Sequence, residues 1–585
     1  MKRTDMPRFL NKQVFVKSLE GICENADELT RSAIFKEALS IYLADLREKD
    51  SPLLEIFPDK SGEEEQFEML LHFFQLLATM EKEALVEKAP HLAHFFDDSY
   101  LLSQVLEQFY NYWRRFERFF IYYTTDEEKA AGKTPYPTFS ETIEHLNHLV
   151  RSVYRDIGRR INGRTPRVYR QVPAACQVGL IVTREEWPCP PVYSFLADVP
   201  FIRQILLEPP LIIDPIMNTR SGSFKKTDMN PLEGLEIEAE RWLCYPARVG
   251  ELVIHLYFKD KFMNLGTALI NLFDLAWDDE VKRKPDAIYL FGIPTEKMDR
   301  FGDNKTVFYE DMENDLLIGA IPDDDRFGYF GYAKKMMLTL HNIIMMKRGR
   351  LPVHGAMAKI TMKDGRSANV VIMGDSGTGK SETLEAFRGL SETYLREFII
   401  VFDDMGSLEI EEGKIAGYGT ETGAFVRLDD LNADFAFGNI DRSIIMSPQK
   451  INARAVLPIT LIEEVLRGYG VDYLLYANNF EDVDDEHPYL ERFESVEEAM
   501  HVFREGARMA KGTTAEKGLV HSYFANVFGP TQYRELHEPI ARRFFNEMFK
   551  SKIYVGQMRT RLGIPGLERE GPEAAAKALF EMIRG

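Results

Sequence analysis

The chain has 585 residues, of which 45% are apolar and 28% charged, and its formal net charge is -20. This length exceeds what one hydrophobic core supports and indicates several domains, with the composition of a water-soluble globular protein. The acidic balance argues against general binding of nucleic acid or anionic membranes, which requires basic surfaces. Because the chain has no bilayer-length apolar run and no signal-peptide pattern, we expect a cytoplasmic protein with neither membrane nor nucleic-acid partners.

Residues 1–165 are predicted to form an all-helical N-terminal domain. Apolar residues recur at spacings of three and four in segment 67–77, and again in the aromatic segment 101–123. A helical bundle with these stripes in its core explains the pattern. The alternative is a groove that binds a protein partner.

From residue 166 the pattern changes to mixed α/β. Runs rich in β-branched and aromatic residues, such as 252–258 and 287–291, alternate with helical stretches. We assign residues 166–328 to an α/β lobe on the substrate side. Its polar loop 218–226 carries Arg220, and this loop is either a solvated turn or a contact to substrate.

Residues 329–585 are predicted to form a lobe that binds nucleotide and metal. A strand that follows the turn at 363–365 enters the motif G-x-x-x-x-G-K-[ST]. The motif residues are Gly374, Asp375, Ser376, Gly377, Thr378, Gly379, Lys380 and Ser381. Glycines let successive backbone N–H groups face phosphate oxygens, the lysine reaches the β- and γ-phosphates, and the serine hydroxyl binds the metal. The motif therefore predicts a nucleotide-phosphate site.

Two further features of this lobe carry charge. A buried strand is predicted over 397–404, ending in Asp403 and Asp404, and adjacent carboxylates suit the Mg²⁺ that accompanies a nucleotide. Arg454 lies in the otherwise apolar segment 451–458 and needs a counter-charge. That partner is either a structural carboxylate or a phosphate.

Across residues 210–560 these motifs, in this order, resemble ATP-dependent phosphoenolpyruvate carboxykinase. The resemblance is carried by the phosphate loop, by Asp403-Asp404, and by five shorter segments. These are Arg220-Ser221, Tyr329 with Lys334-Lys335 and His354, the turn 421–424, the strand 452–456, and the pair 512–518 and 524–529.

The resemblance implies an α/β fold with a carboxykinase-like P-loop core in two lobes, and it implies roles for individual residues. Lys335, His354 and Asp404 would hold Mn²⁺, and Ser381, with Asp403 behind it, would hold the Mg²⁺ of ATP. Lys380 and Arg454 would neutralise the moving phosphoryl group. Arg220 and Tyr329 would orient a small carboxylate substrate, with Ser376 beside the transferred group. The implied reaction converts oxaloacetate and ATP to phosphoenolpyruvate, ADP and CO₂.

The end of the loop, Lys380-Ser381-Glu382, departs from the carboxykinase pattern. With His354-Gly355 upstream, it is similar to HPr kinase/phosphorylase. The alternative function is therefore a kinase that acts on a protein serine or a small-molecule hydroxyl, with Asp403 or Asp404 as the base. A third is a non-catalytic nucleotide sensor whose helical N-terminal domain reports ATP to a partner.

Overall fold

A computed structural model describes residues 8–18, 23–58, 61–124, 136–163, 172, 174–220, 223–303, 305–428, 440–510 and 517–585. The chain forms two compact units. Unit 1 comprises Met1–Thr183 and Ile202–Leu211, and unit 2 comprises Arg184–Phe201 and Ile212–Gly585. The predicted boundary between residues 165 and 166 lies outside the described residues, and the one between 328 and 329 stays a prediction.

Unit 1 combines helices with a sheet. Its helices are Ala26–Arg31, Ala33–Glu48, Glu63–Thr79, Lys82–Lys88, Ser99–Arg114 and Tyr136–Asn162. Its strands are Arg8–Leu10, Gln13–Ser18, Glu117–Tyr123, Val178–Thr183 and Phe201–Leu207. Each strand is the neighbour of the next one along the chain in the sheet. The core between the helices contains the fully buried Phe73, Phe74 and Phe95. The predicted helical stripes are thus confirmed as core.

The Glu117–Tyr123 strand corrects the prediction of an all-helical N-terminal domain. Segment 101–123 was predicted to be helical throughout, but the helix ends at Arg114 and a strand follows. This strand pairs in parallel with Gln13–Ser18 on one side and Val178–Thr183 on the other. A central parallel strand is a continuous apolar run without alternation, so its pattern alone cannot be told from that of a buried helix.

Unit 2 is mixed α/β, as predicted. Its helices are Met263–Ala268, Asp278–Val281, Thr295–Met298, Phe330–Lys347, Lys380–Tyr394, Ile462–Leu466, Val496–Glu505, Arg534–Lys550 and Glu570–Arg584. One sheet has the order Trp242–Val249, Leu252–Lys259, Ala287–Ile293, Leu316–Pro322, Val307–Asp311 and Lys225–Thr227. Within the described residues, every helix is either too short or too polar to cross a lipid bilayer.

A second sheet of unit 2 positions the phosphate loop. Its order is Tyr469–Gly470, Lys414–Gly419, Leu395–Glu411, Leu351–Met362, Ser367–Met373, Tyr473–Asn478, Tyr554–Arg559 and Leu490–Arg492. The Leu351–Met362 strand pairs antiparallel with both Ser367–Met373 and Leu395–Glu411. The turn predicted at 363–365 is therefore confirmed as the connection of a hairpin that precedes the loop. On the other side of the Leu351–Met362 strand, Gly355 is paired with Asp404, so His354 lies next to the partner of Asp404.

A smaller sheet of unit 2 carries Arg454. The strand Arg454–Pro458 lies between Gly423–Arg427 and Ile444–Met446, antiparallel to both. Ala455, Val456 and Leu457 are buried, so the strand is anchored by apolar packing directly after the arginine.

Candidate functional site

The predicted strand–loop–helix order is confirmed at the phosphate motif. The strand Ser367–Met373 enters the loop, and the helix Lys380–Tyr394 leaves it. Gly377 and Gly379 have φ values of 77° and 93°, which side chains other than glycine rarely adopt. A Cβ on Gly379 would lie 2.7 Å from Thr560 Cβ. The loop thus needs glycine at this position for both its backbone conformation and its close packing.

Side chains around the loop fix its shape. Lys380 Nζ donates to the backbone carbonyl of Asp375 at 3.1 Å, and Asp375 Oδ1 accepts from the backbone N–H of Ser376 at 2.7 Å. Arg508 Nε lies 2.9 Å from Asp375 Oδ2. Burial would raise the pKa of Asp375, but the charges of His354 and Arg508 outweigh it and lower that pKa. Asp375 is therefore a charged brace inside the loop, whereas Ser376 is exposed.

Asp403 contacts the loop serine. Ser381 Oγ donates to Asp403 Oδ1 at 3.0 Å. Burial raises the pKa of Asp403, the charge of Lys380 opposes the increase, and the charge of Asp404 adds to it. A serine hydroxyl and a carboxylate in contact at the start of the loop helix are the oxygen ligands expected for the Mg²⁺ of a nucleotide.

The prediction that Asp403 and Asp404 end their strand is wrong. The strand continues from Leu395 to Glu411, with Met405 and Leu408 fully buried beyond the acids. Asp404 has a φ of 127°, which residues other than glycine rarely adopt. The two acids thus lie inside a long strand, and the backbone is strained at Asp404.

Asp404 is contacted by Lys334 and His354, which lie on different elements. Its Oδ2 lies 2.6 Å from Lys334 Nζ, and its Oδ1 lies 3.1 Å from His354 Nε2. Burial would raise the pKa of Asp404, but Lys334 and His354 outweigh it and lower the pKa well below its usual range. Glu421 is the second carboxylate on Lys334, at 3.2 Å. Burial raises the pKa of Glu421 to about 8, so two carboxylates share one ammonium and Glu421 retains its proton.

Lys335 is in a different environment from Lys334. Its Nζ lies 4.8 Å from the centroid of the Phe528 ring, and it forms no ion pair with any carboxylate of the described ranges. Burial, helped by the charge of Arg220 and opposed by that of Asp404, lowers the pKa of Lys335 to about 8. A lysine with this pKa is partly neutral near physiological pH, which is the form that binds a metal ion.

The predicted acceptor residues converge around Tyr329. Arg454 lies with its guanidinium 5.3 Å from the Phe425 ring centroid, and its Nε is buried without a hydrogen-bond partner in the described structure. Burial raises the pKa of the Tyr329 hydroxyl, while Arg454, a hydrogen bond from Asn452 and the charge of Arg220 oppose the increase. Burial also lowers the pKa of Arg220. Two segments distant in sequence thus bring positive charge to one tyrosine.

Several contacts of the site were not predicted from the sequence. Arg508 and Asn479 belong to no motif, yet the first pairs with Asp375 and Asn479 Nδ2 donates to the Gly377 carbonyl at 2.9 Å. Lys334 was noted only as a neighbour of Lys335, and Glu421 only as part of a turn. Of the predicted segment 512–518, residues 512–516 lie outside the described residues, as does Ser221 next to Arg220.

A metal site built only from the usual side chains is not found. Among the described residues, no group of three or more His, Cys, Asp and Glu side chains is placed to hold an ion. His354 and Asp404 lie in contact and are two such donors, and the neighbouring helix adds Lys335 as an unusual candidate ligand.

No model of a known protein family matches the chain, and a comparison with curated proteins found no match.

Proposed function

We propose that the protein is an ATP-dependent phosphotransferase of the carboxykinase type, converting oxaloacetate and ATP to phosphoenolpyruvate, ADP and CO₂. On this proposal, residues 166–585 form the two lobes of a carboxykinase-like P-loop core. The loop glycines, Lys380 and the Ser381–Asp403 hydrogen bond support ATP binding. Buried positive charge supports a carboxylate compound as the acceptor.

The observation that carries the proposal is positive charge without a protein partner. Arg454 has a buried Nε with no hydrogen-bond partner within the part of the chain that the structure describes. Buried cations are stable only when anions compensate them. An acceptor with carboxylates, bound beside the γ-phosphate of ATP, supplies that compensation, whereas a neutral hydroxyl does not.

The residues present also fit the two metal ions that this chemistry uses. His354, Asp404 and a neutral Lys335 would hold Mn²⁺, and Ser381 with Asp403 would hold Mg²⁺. The lowered pKa of Lys335, about 8, supports its role as a neutral ligand. Bound Mn²⁺ supplies Lewis-acid stabilisation of negative charge on a substrate oxygen.

The protein's own side chains then act by position and charge. Arg220 and Tyr329 orient the substrate carboxylate, and loss of CO₂ leaves an enolate oxygen whose electron pair forms the new bond to the γ-phosphorus. Lys380 and Arg454 neutralise charge on the phosphoryl oxygens as the bond to ADP breaks. Ser376 is exposed on the loop and would lie beside the transferred group.

The test follows phosphoenolpyruvate formation by the full chain with oxaloacetate, ATP, Mg²⁺ and Mn²⁺. We expect turnover in the wild type and a loss of at least a hundredfold in kcat/KM in Arg454→Met. Arg442→Met is the matched control, because Arg442 is an exposed arginine near the neighbouring strand. No turnover of oxaloacetate, with ATP consumed only when a hydroxyl acceptor is added, would overturn the proposal.

A kinase of a protein serine or small-molecule hydroxyl is the second candidate, and Asp403 favours it. The pKa of this carboxyl is raised by burial, which makes it a better acceptor of a hydroxyl proton. The same assay separates the candidates by the acceptor that is consumed, oxaloacetate or the added hydroxyl compound. Asp403→Asn would impair both reactions, because Asp403 is the hydroxyl base in one and lies at the nucleotide Mg²⁺ in the other.

A further inference from the structure

Unit 1 contains an apolar cavity of about 80 Å³ between its helices. Thirteen apolar or aromatic side chains line it, from the helices Ala26–Arg31, Ala33–Glu48, Glu63–Thr79, Ser99–Arg114 and Tyr136–Asn162. A single water needs about 10–15 Å³ by this kind of measure, and dry cavities lined by such residues bind small apolar molecules. The cavity therefore has room for a hydrocarbon group, and its lining gives water no hydrogen-bond partners.

One side of this cavity reaches the surface. Tyr110, Trp113 and Tyr154 are half-buried lining residues, and the rings of Tyr110 and Tyr154 stack with centroids 3.9 Å apart. The Tyr154 hydroxyl donates to Glu107, whose other carboxylate oxygen accepts from Asn111 at 3.1 Å. Both carboxylate oxygens of Glu107 thus have hydrogen-bond donors.

Positive charge lies beside Tyr110, one of the residues that line the cavity. The guanidinium of Arg114 lies 5.9 Å from the Tyr110 ring centroid, and its Nε is buried without a hydrogen-bond partner among the described residues. Burial raises the pKa of Tyr110, while the charges of Arg114, Arg118 and Arg151 all oppose that increase. The three arginines are therefore close enough to act on a residue that lines the cavity.

We propose that unit 1 binds an apolar monocarboxylate, with its hydrocarbon part in the cavity and its carboxylate at Arg114. Apolar burial supplies the affinity for the hydrocarbon part. A guanidinium with an unused N–H recognises a carboxylate by a charge-assisted hydrogen bond. A neutral or cationic ligand of the same shape leaves Arg114 unpaired, so the site selects for the anion. This binding is independent of the reaction proposed for unit 2.

The experiment measures binding of three ligands with the same ring to the full chain by titration calorimetry: phenylacetate, phenylacetamide and phenethylamine. We expect phenylacetate to bind at least tenfold more tightly than the other two. Arg114→Gln should remove that preference. Arg115→Gln is the control and should keep it, because Arg115 is the next residue in sequence and is exposed. Ala38→Leu, which fills the cavity, should abolish binding of phenylacetate.

Three results would overturn the proposal: no binding of phenylacetate, equal affinity for phenylacetate and phenylacetamide, or an unchanged preference in Arg114→Gln. Circular dichroism reports whether Ala38→Leu folds. If that variant does not fold, the comparison of Arg114→Gln with Arg115→Gln still tests the proposal, because neither arginine lines the cavity.

Discussion

Arg508 and Asp375 form a buried ion pair, with Nε 2.9 Å from Oδ2 and side chains only 6% and 7% exposed. They are 133 residues apart in sequence. Asp375 is the second residue of the phosphate loop, so this pair fixes the loop to the short strand Arg508–Met509. The other carboxylate oxygen of Asp375 orients the Ser376 backbone N–H. The shape of the loop therefore depends on a residue outside its motif.

Removing the arginine alone is expected to be strongly destabilising. Arg508→Met leaves the Asp375 charge buried without its main hydrogen-bonded partner, which should lower the free energy of unfolding by about 3–5 kcal/mol. The double variant Arg508→Met with Asp375→Asn should lose less than Arg508→Met, because the uncompensated charge is gone. Thermal unfolding of the wild type, Arg508→Met and the double variant measures both effects.

The control for this pair is Arg366→Met. Arg366 pairs with Asp364 at 2.7 Å, but both side chains are about half exposed. An exposed pair contributes at most about 1 kcal/mol, so the thermal midpoint should hardly change. Equal losses in Arg508→Met and Arg366→Met would show that burial of the loop pair has no energetic consequence.

Glu421 should make stability depend on pH. Its pKa is about 8 in the folded protein, against an ordinary value of 4.5, so between these values the folded state retains a proton that the unfolded state has lost. Stability from this group therefore falls as pH rises from 4.5 to 8 and is constant above 8. In Glu421→Gln the side chain is neutral at every pH. The variant should gain stability relative to the wild type, by a few kcal/mol, between pH 5 and pH 8.

Glu397→Gln provides the comparison for that pH series. Glu397 is 45% exposed, and a hydrogen bond from Lys359 lowers its pKa, so its charge is complete in both states above pH 5. The difference between this variant and the wild type should stay constant from pH 5 to pH 8. A constant difference for Glu421→Gln as well would contradict the protonated state assigned to Glu421.

Two glycines with nearly the same φ separate the effect of backbone strain from that of side-chain crowding. Gly379 and Gly365 have φ values of 93° and 92°, but a Cβ on Gly365 would meet nothing within 4 Å. Gly365→Ala should cost about 1–2 kcal/mol of stability from the backbone alone and keep ATP binding. Gly379→Ala should cost more, because Thr560 has to move, and should abolish ATP binding. Similar ATP affinity in both variants would contradict the close packing of the loop.

The local features of the site were predictable from the sequence, because they depend on residues near one another in the chain. The phosphate loop is such a feature: its glycines, Lys380 and Ser381 lie within one turn between a strand and a helix. The hairpin before the loop follows from a short glycine turn between apolar runs. These patterns fix backbone conformation, and the structure has them where the sequence predicts them.

Pairings between distant segments were not predictable in the same way. Consecutive lysines 334 and 335 start a helix that is buried nearly all round, so no apolar stripe indicates which of them faces Asp404. The structure places Lys334 there. In the same way, the strand Glu117–Tyr123 is buried on both faces, and its register partners are more than 50 residues away. Such choices depend on tertiary packing, which a single sequence does not encode locally.

The loop lysine and serine should contribute to ATP binding in different ways. Lys380 supplies charge to phosphate oxygens, so Lys380→Met should weaken binding at least tenfold both with and without Mg²⁺. Ser381 contacts Asp403 and would act through the ion, so Ser381→Ala should weaken binding only when Mg²⁺ is present. Titration calorimetry with ATP, with Mg²⁺ or with a chelator, gives the four affinities.

Lys359→Met serves as the control for these titrations. Lys359 lies in the neighbouring strand Leu351–Met362 and pairs with Glu397 at 2.7 Å, outside the loop contacts. Its removal should leave all ATP affinities unchanged. If Ser381→Ala weakened binding equally with and without Mg²⁺, the serine would be shaping the loop and not holding an ion. The assignment of Ser381 and Asp403 to the nucleotide metal would then be wrong, while that of Lys380 to the phosphates would stand.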